Sequence, residues 1–272
     1  MKKLRVRDVL LFVPAILLVV ITVYPLLWTL CGSFNTVTQL GRISVIPVGV
    51  SLKNYIDIFV EGDFYRYTMN SLIVSVATVA LQLSFNAMAA YPLARLQFPG
   101  KNLVFIYFLS TMMIPLSVTM IPLYLVVRNM KLVNTLWALI LPAMASGFGI
   151  FMLRQFFLDI PKDLEEAALI DGMSYPGIFL KVILPLSKPI LLSQGMFAFL
   201  GAWNSYLWPL IANMDEKLWV ISVGIASFRD SRNVDWNAIL TGATASMIPT
   251  AIMFAIFQKQ LVEGIKTSGM KM

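Results

Sequence analysis

The sequence predicts an all-α membrane protein with six transmembrane helices. Only 13% of its 272 residues are charged and the mean hydropathy is +0.79, too little polar surface to coat a soluble globule of this size. Six stretches approach the roughly 20 apolar residues that cross a bilayer. They are Val9 to Leu30, Ser71 to Ala94, Leu103 to Val127, Leu136 to Met152, Pro189 to Ile211 and Thr241 to Phe257. With the N-terminus inside, 13 of the 21 lysines and arginines fall on the inner side, as the positive-inside rule requires. Both termini and the loop after the fourth span are then cytoplasmic, in a multi-pass protein of the cell membrane.

The basic start, Lys2, Lys3 and Arg5, resembles that of a signal peptide. The apolar run behind it is long enough to span, and no small-residue cleavage site interrupts it, so it reads as a retained first helix. An outer loop follows, from Asn35 to Tyr67. In the second span Ser71, Ser75, Thr78, Gln82, Asn86 and Ala89 recur at three- and four-residue intervals and share one face. That face serves helix packing or lines a pathway, with Gln82 and Asn86 the candidates for lining. A short inner turn, Arg95 to Lys101, and an outer one, Arg128 to Asn134, bracket the third span. Arg128 and Lys131 run against the charge rule, so this part of the topology rests on hydropathy and spacing.

Pro161 to Pro189 is the longest polar-rich segment that also carries dense local signals. Pro161 suits a first helical turn, and Asp163, Glu165 and Glu166 put negative charge at the positive end of the helix dipole. Leu164, Ala167, Ala168 and Asp171 fall on one face of low relief, open to close approach. Gly172 stands where a C′ glycine ends a helix, Ser174 can cap a second one before Pro176, and Pro185 and Pro189 interrupt the next hydrophobic run. The segment reads as helix, sharp turn, helix: a solvated hairpin or a docking element. In the fifth span Gln194, Phe197, Gly201, Asn204, Ser205 and Trp208 share a face. With Trp203 and Tyr206 they make a mixed polar and aromatic surface suited to a sugar, or an interfacial aromatic belt. The pathway candidates are thus Gln82, Asn86, Gln194, Gly201, Asn204 and Tyr206. The outer segment from Asn213 to Asn237 carries aromatic residues among mixed charges, which marks Arg229, Asp230 and Arg232 as candidate protein contacts or as an ordinary loop.

With no histidine and one cysteine, Cys31, the chain has no imidazole for catalysis or metal binding and no internal disulfide. The spans hold almost no ionisable residues, which disfavours an ion-coupled carrier, and no carboxylate pair within a span serves an intramembrane enzyme. The net charge of +7 is not gathered into a basic patch with interleaved aromatics, so nucleic acid is not a partner.

The order Glu166-Ala167-Ala168, Asp171-Gly172, Phe179, Val182, Leu184-Pro185 and Pro189 resembles the cytoplasmic coupling loop of binding-protein-dependent ATP-binding-cassette (ABC) importer permeases. Tyr91-Pro92-Leu93-Ala94-Arg95, Met113-Ile114-Pro115, Trp203-Asn204-Ser205-Tyr206 and Phe257-Gln258-Lys259 extend the likeness to the smaller membrane subunit of the maltose-type carbohydrate importers. The resemblance implies a type I permease fold, a single transmembrane permease domain over residues 1–272, with residues 158–189 docking into a cleft on a separate ATPase. It further implies that Glu165, Glu166, Ala167, Ala168, Asp171, Gly172 and Pro185 form the docking element. The implied partners are a second homologous permease, two cytoplasmic ATPase subunits that bind ATP and magnesium, an extracytoplasmic solute-binding protein and a carbohydrate. This chain would hold no cofactor, and a sugar phosphate or polyol is the alternative substrate. Met173 stands where the family usually has a small residue.

Overall fold

The computed structural model of the protein describes residues 6–35, 49–229 and 234–269. The described residues form no strand beyond two isolated bridges, Asn35–Val50 and Arg229–Val234. The helices are α1 (Val6–Ser33), α2 (Lys53–Ile56), α3 (Phe64–Arg95), α4 (Lys101–Thr111), α5 (Leu116–Asn129), α6 (Trp137–Ile140), α7 (Gly147–Asp159), α8 (Asp163–Ile170), α9 (Tyr175–Ile178), α10 (Leu184–Leu186), α11 (Lys188–Trp203), α12 (Leu207–Ala212), α13 (Ile221–Ser227) and α14 (Trp236–Gly269). Two compact units share them: Met1–Tyr65 with Gly224–Ile248, and Arg66–Val223 with Pro249–Met272.

In the first unit α1 turns its apolar side chains outward on nearly every side, which suits a helix whose solvent is lipid. Its last turn is held by α14: Thr241 donates to the Ser33 carbonyl at 3.2 Å and Thr244 to that of Thr29 at 3.3 Å. Asn54 closes the same end by donating to the carbonyls of Ser33 and Asn35, both at 2.9 Å. Phe64 is fully buried between Phe59 and Phe228, and Gly242 leaves room for its ring.

In the second unit three of the anticipated spans are broken rather than continuous. The α4–α5 pair bends by 103° and the segment Trp137–Ala143 meets α7 at 41°. Lys188–Ala212 is interrupted over Asn204–Tyr206, while Tyr175–Leu186 meets α11 at 79°. Hydropathy averages over such breaks, but their causes are local. Pro115 offers no N–H and holds its backbone extended ahead of α5. Ser146 is extended too, and its hydroxyl accepts from the Gly149 N–H at 3.1 Å as an N-cap.

The bent pairs still cross. Asn70, near the start of α3, donates to the carbonyls of Lys217 and Trp219 at 2.9 Å. Asn134, just past α5, donates its N–H to Ala212, and its side-chain oxygen accepts from Met214 at 2.7 Å. These residues share one end of the unit. At the other end of α3, Lys101 donates to Leu96 at 2.8 Å and Arg154 to the Leu93 carbonyl at 3.0 Å. The α4–α5 pair therefore starts at one end of α3 and finishes at the other, as does the return from Thr135 to Asp159. Three unbroken helices, α1, α3 and α14, and three broken segments give the six-span fold.

Candidate functional site

The hairpin at the Arg95 end is built from its turn outward. Helix α8 begins after Lys162 and carries Asp163, Glu165 and Glu166 in its first turn. Gly172 has a φ of +78°, the left-handed conformation that glycine adopts without a Cβ penalty. Its N–H donates to Leu169 at 3.0 Å and that of Met173 to Ala168 at 2.9 Å, the two bonds of a Schellman closure. Met173 is half-buried and packs against the core that includes Ala168, so the larger side chain there serves the closure. Ser174 stands at the start of α9, but its side chain makes no capping hydrogen bond. Ahead of Pro185, which lacks an N–H, the helix widens into a π turn over Phe179–Ile183.

The expected low-relief face of α8 is divided. Leu164, Ala167 and Asp171 are exposed, along with Glu166 and Ile170, whereas Ala168 turns inward with Glu165. Ala168 joins a core with Ala87, Tyr91 and Ala94 of α3, Leu153 and Phe157 of α7, and Ile178 and Ile183 of the following turns. Glu165 lies 2.8 Å from Arg95 Nε, with side-chain exposures of 12% and 3%. The N–H does not point at the oxygen, so this is an ion pair without a directional hydrogen bond. Arg95 also donates to the Ile160 carbonyl. Burial pushes the Glu165 carboxyl above its ordinary range, with Arg95 and Lys162 pulling against it. Sequence reasoning named Glu165 and Arg95 separately and missed their pairing, because they stand far apart in the chain.

The pathway candidates separate in the same way. Gln82, Gln194 and Gly201 line a cavity of about 360 Å³ in the second unit, together with Thr78, Ser205 and Trp208. Asn86 lies outside that lining, fully buried, and its side-chain oxygen accepts from Ser146 N–H at 3.0 Å. Gln82 donates to the Ala143 carbonyl at 2.7 Å, and Ser71 accepts from Ile221 N–H at 2.7 Å, so three residues of the polar face of α3 hold neighbouring backbone in place. Asn204 and Tyr206 are not part of the lining. Asn204 follows the last turn of α11 and donates back to Leu200 at 2.9 Å. Trp203 is not a lining residue either, being buried and stacked on Phe199 at 5.5 Å. Arg229 is exposed, and Asp230 and Arg232 lie outside the described residues.

Gly149 carried no periodic signal, although a glycine in a bulky run often marks a close approach. A Cβ there would lie 2.2 Å from Asn86 Nδ2 and 2.3 Å from Gln194 Nε2. Gly149→Ala should therefore cost about 1–3 kcal/mol by overpacking, read as a lower unfolding temperature of the purified protein. An unchanged temperature would mean that both amides move aside freely.

Fold and site together define a polytopic helical membrane subunit with an open cavity free of charged side chains and a polar hairpin packed against α3 and α7. The family described as binding-protein-dependent transport system inner membrane component matches residues 82–267. The chain belongs to that family: it is a membrane component of a transport system, not an enzyme. It is 36% identical over 256 residues to the arabinooligosaccharides transport system permease protein AraQ of Halalkalibacterium halodurans, covering 92% of each chain. It is 31% identical to the trehalose/maltose transport system permease protein MalG of Thermococcus litoralis, covering 100% of this chain and 99% of that one. A chain from the crystal structure of a bacterial ABC transporter involved in the import of the acidic polysaccharide alginate superposes with a TM-score of 0.85 at 22% identity. That superposition covers 95% of this chain and 98% of the other, and it shows the shared fold.

Proposed function

We propose that this chain is the permease subunit of an ATP-driven importer for a sugar or oligosaccharide, and that its hairpin receives the mechanical stroke. The observation that carries this reading is the construction of α8. Its outer side presents Glu166, Ala167, Asp171 and Ile170 to a partner, while Glu165 and Ala168 lock its inner side to α3 and α7. Exposed apolar side chains beside an acidic first turn suit a cleft with a basic rim. Gly172 and Pro185 set the turn and the exit of the hairpin. Closure of two cytoplasmic ATPase subunits around ATP and magnesium would move α8 and, through it, the helices to which it is locked. A second homologous permease would complete the pathway. An extracytoplasmic binding protein would deliver solute from the opposite side, with Arg229, Asp230 and Arg232 as its candidate contacts. The sugar assignment is supported by the relatives named for arabinooligosaccharides and for trehalose and maltose.

The orientation is tested with single cysteines at Lys162 and Glu216 in a Cys31→Ser background. Both positions are exposed, and they belong to the Arg95 end and the Asn70 end respectively. A membrane-impermeant thiol reagent applied to intact cells should label the cysteine at 216 and reach the one at 162 only after the membrane is opened. Labelling of both from outside would place the hairpin on the wrong side for a cytoplasmic ATPase.

A further inference from the structure

We infer that this subunit itself binds the solute, in the cavity beside Gln194, and that the site accepts an uncharged polyhydroxyl ring and rejects an anionic one. The inference rests on the importer reading above and adds the ligand's chemistry to it. The cavity, at about 360 Å³, falls in the size range of small-molecule sites. None of its lining side chains is ionisable. A phosphate or carboxylate entering it would give up hydration on the wall side with no cation there to replace it, a cost that a neutral molecule does not bear. A hydroxyl loses far less and finds partners.

Those partners are Gln194 and Thr78. Gln194 is 2% exposed, and neither end of its amide has a hydrogen-bond partner. Thr78 is 1% exposed with its hydroxyl oxygen unpaired. Buried polar groups are almost always paired, so two orphans at the wall of one cavity are a reserve of unmet hydrogen bonds. All three atoms are buried behind the wall, so pairing with a ligand hydroxyl requires a change of rotamer. Phe148 and Phe197 meet edge to face at 5.9 Å on the same wall and supply apolar ring surface for the carbon face of a sugar. This mixture of a few amide and hydroxyl groups with aromatic faces distinguishes a sugar from a lipid or an ion.

Gly201 gives access to the site, because a Cβ there meets nothing within 4 Å. In the complete importer, with Cys31→Ser and Gly201→Cys, the rate of labelling by a small thiol reagent reports occupancy. The probes are trehalose, maltose and arabinotriose, with glucose 6-phosphate and glucuronate as the charged counterparts. A neutral sugar that the complex imports should slow labelling, and the charged ones should not. Gln194→Leu should raise the protecting concentration, and the KM of uptake, about tenfold for one lost hydrogen bond. Thr78→Val, which preserves side-chain shape, should shift both in the same direction and so separates loss of a partner from misfolding. Labelling that is indifferent to an imported sugar would mean that the cavity holds water only, and would overturn the inference while leaving the importer reading intact. Equal protection by glucose 6-phosphate would overturn the exclusion of charge. Absence of ATP-dependent uptake of every probe sugar, with labelling unaffected, would instead remove the sugar reading and this inference with it.

Discussion

Replacing Glu166 by alanine should lower ATP-driven sugar uptake about ten- to a hundredfold, the loss expected for one charge-assisted contact of about 1.5–3 kcal/mol. Glu166 is exposed on α8 and its neighbour Glu165 is not, so only the former is free to meet a basic partner. Gly172→Val should impair uptake by another route. Nothing lies within 4 Å of a Cβ at Gly172, so the penalty is not a clash. It is the cost of holding a branched residue at a φ of +78°, which loosens the closure that ends α8. Uptake by the importer in vesicles, normalised to the amount of permease in the membrane, decides both cases. Normal rates in both variants would remove the hairpin from the mechanism.

Removing one member of the Arg95–Glu165 pair should destabilise the second unit by about 3–5 kcal/mol, because it strands a buried charge. Arg95→Leu and Glu165→Leu should each lower the unfolding temperature sharply, and the double variant should recover part of the loss. Additive losses would mean that the two residues act independently. The pH dependence has a definite sign. The folded-state pKa of Glu165 is raised above its ordinary value of 4.5, so the folded protein takes up this proton more readily than the unfolded chain. That contribution to stability is complete below the ordinary value and is lost as pH rises through the raised one. Wild type should therefore lose stability relative to Glu165→Gln across that window, and parallel pH profiles would contradict the assignment.

What could be read in the sequence follows the range of the forces involved. Apolar runs and the residue order of the hairpin are local, and they located the six spans, the turn at Gly172 and the polar faces of α3 and α11. The breaks at Pro115, Ser146 and Asn204 were hidden because hydropathy sums over a window while one backbone group decides a bend. The polar face of α3 was visible as a period. Which of its residues would hold backbone and which would line a cavity depended on the segment around Ser146, some 60 residues further on. Trp203 and Trp208 illustrate the same limit. Five residues apart on adjoining helices, one is stacked inside the core and the other lines the cavity while donating to the Ala138 carbonyl at 3.0 Å.

The length of α3 has a consequence for the surrounding lipid. At about 1.5 Å per residue, its 32 residues extend about 48 Å, against a hydrocarbon thickness of about 30 Å. Asn70 and Arg95, which tie down the two ends of the second unit, stand about 38 Å apart along this one helix. That spacing is wide enough for both to stand at headgroup depth, where the guanidinium is fixed without crossing the acyl region. Because a single rod sets that spacing, the protein cannot shorten to suit a thinner membrane. It must tilt, or the acyl chains must stretch around it. The chain length of the host lipid thereby becomes a mechanical load on the same helix to which the hairpin is locked.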